Sequence, residues 1–323
     1  MNDLLKLPYH ILKPVYQQSS FHKSVIDEVS DESLRRAYSH CRLVTRSHAK
    51  TFYMATRFLP NHKQRSIFAI YALCRYLDDL VDEAEDLLGQ RELEPADIQE
   101  RLAIWKSQLV DAYKGVKHEH PVLMAFSDVL KRYDISIELP FMLMEGVASD
   151  LIKSRYNTFE ELYNYSYKVA SVVGLMTSEV FGYQDKSALT YAADLGIAMQ
   201  LTNILRDVAE DLSKGRIYLP LDEMTRFGVS EQDLFNRVYT AEFLDLMKFQ
   251  VERARTYYNS ADIGIPMLNS DSQLPVYLAR YNYSRILDRI EQNNYRVFEG
   301  RTYLNSTEKI SILPKVWWQL YGS

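Results

Sequence analysis

What this chain has little of narrows it first. Eleven glycines in 323 residues lie well below average usage. Two cysteines, Cys41 and Cys74, cannot build a disulfide framework, and Cys74 sits inside an apolar periodic run. Both are expected as reduced thiols with no catalytic part, as in a cytosolic protein. Clusters of His, Cys and carboxylate with zinc spacing are absent. No apolar run reaches the 18 or more residues of a spanning helix, and the first residues lack the basic and apolar pattern of a signal peptide. Excess positive charge is also missing: 38 basic against 43 acidic residues give a net charge of −5, so no global field gathers nucleic acid or an anionic bilayer. An anionic ligand must be attracted locally. These absences predict a cytoplasmic protein without nucleic acid, and no obligate protein partner is evident. Trp317 and Trp318 in "LPKVWWQLYGS" either dock on their own domain or rest on the inner membrane surface.

What is present is mostly helical periodicity. With 47% hydrophobic residues the chain can bury a sizeable core, and apolar residues recur at steps of three and four with few alternating stretches. The pattern predicts an all-α chain with helices near 31–56, 63–87, 96–113, 119–132, 137–150, 158–182, 186–213, 239–260 and 274–298. Pro60, Pro121, Pro140 and Pro220 fall at or beside the breaks, where a missing N–H is tolerated. No Pro/Gly/Ser-rich linker divides these helices, so residues 31–323 read as one domain. Residues 1–30, with Pro8 and Pro14, read as an irregular arm.

One stretch stands out. "YLDDLVDEAED" places six carboxylates in nine consecutive positions from Asp78 to Asp86. On a helix Tyr71, Arg75, Asp78 and Asp82 form one narrow stripe, and Ile70, Cys74, Leu77 and Val81 form an apolar stripe beside it. A second segment, "NILRDVAEDLSKGRIYLP", repeats the spacing: Gln200, Asn203, Asp207 and Asp211 share a face next to Leu201, Leu205, Val208 and Leu212. An acidic run is ordinarily a solvated helix face, and Glu83 and Asp86 read that way. Like charges at i and i+4, however, destabilise a helix by a few tenths of a kcal/mol, and neither pair has a lysine placed to neutralise it. A hard divalent cation supplies the missing charge. Mg²⁺ takes one or two carboxylates plus waters and phosphate oxygens, and two such pairs facing each other across a helical cavity would screen a diphosphate leaving group. Arg75, Arg206, Lys214 and Arg216 stand close enough in sequence to donate to phosphate.

"YALCRYLDDLVDEAED" and "MQLTNILRDVAEDLSKGRIYLP", with "HAKTFYMATRFLP", "YSYKVASVVGLM" and "YSRILDRIEQNNYRVFEGR" in that order, resemble the motifs of the phytoene/squalene synthase family, the head-to-head trans-prenyltransferases. The likeness spans roughly residues 43–303. It implies a single-domain isoprenoid synthase fold, helices around a central apolar cavity, and prenyl diphosphates as substrates. It implies Asp78, Asp82, Asp207 and Asp211 as Mg²⁺ ligands, Mn²⁺ being an alternative metal, with Asp79 and Glu210 in support. Lys50, Thr51, Arg75, Gln200, Asn203, Arg206, Tyr283 and Arg301 are implied around the diphosphates, and Phe52, Tyr71 and Tyr167 at the reacting carbons. By default such aromatics are simply core. In the implied reaction one prenyl diphosphate ionises, the allylic cation is attacked by a second, and the cyclopropylcarbinyl diphosphate so formed ionises, rearranges and loses a proton.

Two departures from the family pattern are visible. Ser171 stands where a glycine is common and is expected to narrow the cavity; Ala49 stands where a serine is frequent. The small Thr56 is expected to leave the tunnel deep, Phe68 to do the reverse. The "GRIYLP" flank resembles bacterial phytoene-forming members of the family, which implies 15-cis-phytoene from two geranylgeranyl diphosphates, in carotenoid biosynthesis. A C30 product from two farnesyl diphosphates (dehydrosqualene, squalene or hydroxysqualene) is the alternative, with NADPH required only for squalene. A non-catalytic homologue that binds prenyl lipid is the alternative of another class.

Overall fold

The computed structural model describes residues 25–89, 95–302, 304–305, 308–309 and 311–321, the side chains of 82–89, 95–99, 319 and 321 excepted. Its helices are α1 Glu32–His48, α2 Lys50–Thr56, α3 Asn61–Gly89, α4 Pro95–Tyr113, α5 Pro121–Leu130, α6 Glu138–Ser149 and α7 Phe159–Ser166. After a π-helical turn, Tyr167–Ser171, come α8 Val172–Phe181, α9 Ala188–Ser213, α10 Leu221–Phe227, α11 Glu231–Phe235, α12 Ala241–Gly264, α13 Ser270–Gln292 and α14 Leu313–Tyr321. Among the described residues the only strand-like pairings are two isolated bridges, Arg155 with Ile217 and Tyr183 with Leu268.

Local chemistry starts and stops these helices where backbone groups would otherwise lack partners. Asp31 accepts from Leu34 N at 2.7 Å to open α1, and Thr158 and Thr240 do the same for α7 and α12. Ser230 and Asp233 form a reciprocal capping box on α11, while Gly228 closes α10 at φ +75°. The nine expected helices are all present, the last ending at Gln292 and not at 298, since Asn294 and Tyr295 take φ of 50° and 57°, and three further differences have physical causes. The first expected helix breaks at Ala49, whose φ of −126° and ψ of 59° turn α2 away from the α1 axis. The helix expected over 158–182 widens into the π turn, where Val172 N reaches back to Tyr167 O. The short helices α10, α11 and α14 give too few turns to show a period.

Of the expected N-terminal arm, residues 1–24 lie outside the described residues. Residues 25–27 are helical and differ from that expectation: Val25 and Ile26 are buried in the core. At the other end α14 docks through Val316, which is fully buried, while Trp317 is partly buried and Trp318 stays 68% exposed. No described helix is long and apolar enough to cross a membrane.

Two apolar clusters build the core. One is rich in α3, α5 and α8 residues, the other in α9, α12 and α13 residues. Tyr167, Val169, Leu195 and Met199 pack against both, which puts the π turn and α9 at the seam. That seam is tight. A Cβ on Gly196 would lie 2.5 Å from Ser171 Cα, and the Ser171 hydroxyl donates to Ala193 O at 2.7 Å. Ser171 is fully buried and does not line the cavity described below. It ties the π turn to α9 and does not narrow the cavity as expected.

Candidate active site

A cavity of about 430 Å³ runs between the clusters, walled by α2, α3, α6, α8, α9, α12, α13 and the π turn. Its walls are largely apolar, with Leu143, Val147, Val169, Val173, Leu195 and Met199 among them. A set of polar groups gathers at one end, while Thr56, Thr177 and Ser178 line the cavity elsewhere. Tyr71, Cys74, Arg75 and Asp78 reach it from α3, Gln200 and Asn203 from α9, and Tyr283 from α13. Each helix presents these residues one turn apart, as its periodicity requires.

On α3, Arg75 donates to Asp78 Oδ2 at 2.9 Å and also pairs with Asp79. Burial pulls the Arg75 guanidinium down, but the Asp79 bond and the two carboxylate charges leave it above its ordinary value. Asp82 follows on the same helix, and its side chain lies outside the described residues. Cys74, placed by sequence in the apolar seam, also lines the cavity; burial pushes its thiol up to about 12, so it stays neutral and non-nucleophilic. Phe52 and Tyr71 meet at this end with ring centroids 5.9 Å apart.

The α9 face continues past the cavity. Asp207 and Asp211 are not among its lining residues. Asp207 is held bidentately from two sides: Arg206 donates at 2.7 and 2.5 Å, and Arg301 at 2.9 and 3.2 Å. Glu210 and Arg301 share an adjacent surface pocket with Asp207. Asp211 lacks such a clamp. Burial, then Asp207 and Glu210, push its carboxyl up to about 7, against the pull of Arg216 and Lys214. The side-chain oxygen of Asn203 is buried and has no hydrogen-bond partner. Asp211 and the orphaned Asn203 oxygen lie on one face of α9, about 12 Å apart along its axis with Asp207 between them, and all are oxygen donors. That set suits Mg²⁺ or Mn²⁺. Among the described residues no three His, Cys, Asp or Glu side chains converge into a metal cage, and a cation that shares its coordination with phosphate needs none.

Several expected positions fall elsewhere. Tyr167 packs between the two clusters, and Tyr165, two residues earlier, lines the cavity instead. Tyr165 donates to Asp150 Oδ2 at 2.8 Å, Tyr218 donates to Asp150 Oδ1 at 2.9 Å, and Tyr156, Tyr165 and Tyr218 stack. Asp150 also lines the cavity; a lone carboxylate in "VASD" carries no periodic signal. Lys50 is exposed and Thr51 partly buried, and neither lines the cavity, whereas His48 and Ala49 do. Lys50 lies close enough to Lys309 for that ammonium, already depressed by burial, to be lowered further. Thr56 lines the cavity, donating its hydroxyl back to Tyr53 O. Phe68 is buried, stacked on Tyr53 at 5.5 Å, and is not among the lining residues, so it does not narrow the tunnel directly as expected.

A family model described as squalene/phytoene synthase matches residues 45–308. The 15-cis-phytoene synthase of Synechococcus elongatus is 42% identical over 87% of this chain and 92% of its own length, and that of Synechocystis is 42% identical over 88% and 86%. Among solved structures, a dehydrosqualene synthase complex superposes with a TM-score of 0.81 at 29% identity, covering 90% of this chain and 98% of its own. The squalene synthase of Alicyclobacillus acidocaldarius gives 0.75 at 26%, covering 84% and 98%.

Proposed function

Because the chain belongs to the squalene/phytoene synthase family of prenyltransferases, we propose that it joins two geranylgeranyl diphosphates head to head, giving 15-cis-phytoene for carotenoid biosynthesis. The observation that carries this reading is a largely apolar cavity with Arg75, Asp78, Gln200 and Asn203 reaching one end of it, beside two aspartate-bearing helix faces. The choice of C20 substrates rests on the 42% identical phytoene synthases. The solved C30 synthases at 29% and 26% identity support the alternative of farnesyl diphosphate. Phytoene forms by proton loss, so the conditional expectation of NADPH is not borne out.

In this reading Asp78, Asp82, Asp207 and Asp211 hold Mg²⁺, with Asp79, Glu210 and the Asn203 oxygen beside them. When bound, the metal neutralises diphosphate charge and stabilises the leaving group. The chain's own residues do the rest. Arg75, Arg206 and Arg301, now spent on Asp78, Asp79 and Asp207, turn to phosphate oxygens, joined by Gln200 and Tyr283. The faces of Phe52 and Tyr71 stabilise the allylic cation. Tyr165, its proton engaged by Asp150, keeps a neutral hydroxyl at the wall, because burial, then Asp150 and Tyr218, push its phenol far up. The apolar walls exclude water that would quench the cation. Residues 31–323 act as one unit, and the exposed Trp318 is the candidate peripheral contact with the inner membrane surface.

The test is incubation with Mg²⁺ and either geranylgeranyl or farnesyl diphosphate, with and without NADPH, followed by mass analysis of extracted hydrocarbon. A C40 product from the C20 substrate is expected. No hydrocarbon from either substrate favours the prenyl-lipid-binding alternative.

A further inference from the structure

The cavity's far end is built as firmly as its polar end. Along α3, Lys63 precedes Asp78 by fifteen residues, about 22 Å of helix. Lys63 is 7% exposed. Its ammonium donates to Phe181 O at 2.7 Å, to Asp271 Oδ1 at 2.7 Å and to Ser272 Oγ at 3.1 Å. Phe181 ends α8, where free carbonyls favour a cation, and Asp271 lies in the first turn of α13, where an anion is favoured. One buried charge thus joins three walls of the cavity.

The segments beside this bracket are stitched together by backbone. Gly182 takes φ +71°, and a Cβ there would lie 2.2 Å from Asn269 Nδ2. Asn269 N donates to Gly182 O at 2.9 Å, Gln184 N donates to Met267 O at 2.9 Å, and Tyr183 bridges Leu268. The side chains so fixed, Phe181, Ile265 and Leu268, all line the cavity. A close-packed wall fixed on both sides cannot yield to an extra isoprene unit without strain.

We propose that Phe181, anchored by the Lys63 bracket, is the stop against which the tail of the prenyl chain ends, and so sets the number of isoprene units this enzyme accepts. Phe181 is a specificity-determining residue and Lys63 a positioning residue. The inference rests on the prenyltransferase reading of the same cavity but not on the C20 assignment.

The test compares kcat/KM for C15, C20 and C25 prenyl diphosphates with Mg²⁺ in the full chain. Phe181→Ala is expected to raise the C25:C20 ratio by about tenfold or more, the scale on which pocket length discriminates, and Phe181→Trp to raise C15:C20 similarly. Lys63→Met is expected to loosen the stop and flatten all ratios. Should the alanine or tryptophan variant not fold, Phe181→Leu is expected to move the C25:C20 ratio the same way as alanine by a smaller factor. A purely structural role lowers the three constants in proportion. Ratios within about twofold of wild type in the folded Phe181 variants overturn the proposal. A wild type that makes C30 and not C40 overturns the C20 assignment instead, while the same directions of change still support the stop. Wild type yielding no hydrocarbon from any of the three overturns both.

Discussion

At the scale of single residues, the two aspartates of α9 are in opposite electrostatic states, and this separates their mutants. Asp207 is neutralised by Arg206 and Arg301. Asp207→Asn leaves the mostly buried Arg206 poorly paired and is expected to cost about 1–3 kcal/mol of stability. Asp211 has the reverse balance. Its folded carboxyl, raised to about 7, binds a proton that the unfolded chain has already released at that pH. The stability this gives the metal-free protein is therefore full below the ordinary carboxylate range and is lost as pH rises through about 7. Asp211→Asn is expected to raise the melting temperature near pH 7 and to remove this pH dependence, while Asp207→Asn lowers the melting temperature. Calorimetry in a chelating buffer checks both signs; equal shifts would refute the asymmetry. Turnover with Mg²⁺ is expected to fall by orders of magnitude in each, and near-normal turnover in both would remove the metal assignment.

At the scale of elements, the π turn and α9 decide which aromatic reaches the cavity. The resemblance carried by "YSYKVASVVG" implies Tyr167 at the reacting carbons, and on an ideal helix Tyr165 would point about 200° away from it. The π turn begins at Tyr167, which lodges between the two clusters while Tyr165 faces the cavity. Close approach at Gly196 holds that arrangement. Gly196→Ala is expected to cost about 1–3 kcal/mol by overpacking and to lower kcat by displacing Gln200 and Asn203 along the same helix. Thermal melting and steady-state kinetics of the one variant test this; a wild-type melting temperature would sink it. Ser171→Ala removes only the bond to Ala193 O and is expected to cost about 1 kcal/mol. Its kcat is expected to stay close to wild type, which separates packing at Gly196 from tethering at Ser171.

At the scale of the whole molecule, Asp78 lines the cavity from α3, and Asp207, 129 residues later, lies on α9 one turn beyond the lining residue Asn203. Mg²⁺ takes one or two carboxylates plus waters and phosphate oxygens, so metal alone is expected to bind weakly and diphosphate to complete its coordination. Mg²⁺ with inorganic diphosphate is therefore expected to raise the melting temperature by more than the sum of the two added singly. A full shift from Mg²⁺ alone would mean a preformed cage and would overturn this account.

The sequence by itself determined the helices, because apolar periodicity and capping act within a few residues. It also determined the carboxylate stripes, because i and i+4 spacing on a helix is geometry before any packing occurs. Only the tertiary structure decided which side chains meet. Asp150 joined Tyr165 and Tyr218, Arg301 reached Asp207, and Lys63 tied Phe181 to Asp271 and Ser272. Each of these contacts closes over 15 to 209 residues of chain. Contacts of that reach depend on how helices lie against one another, which local pattern does not encode.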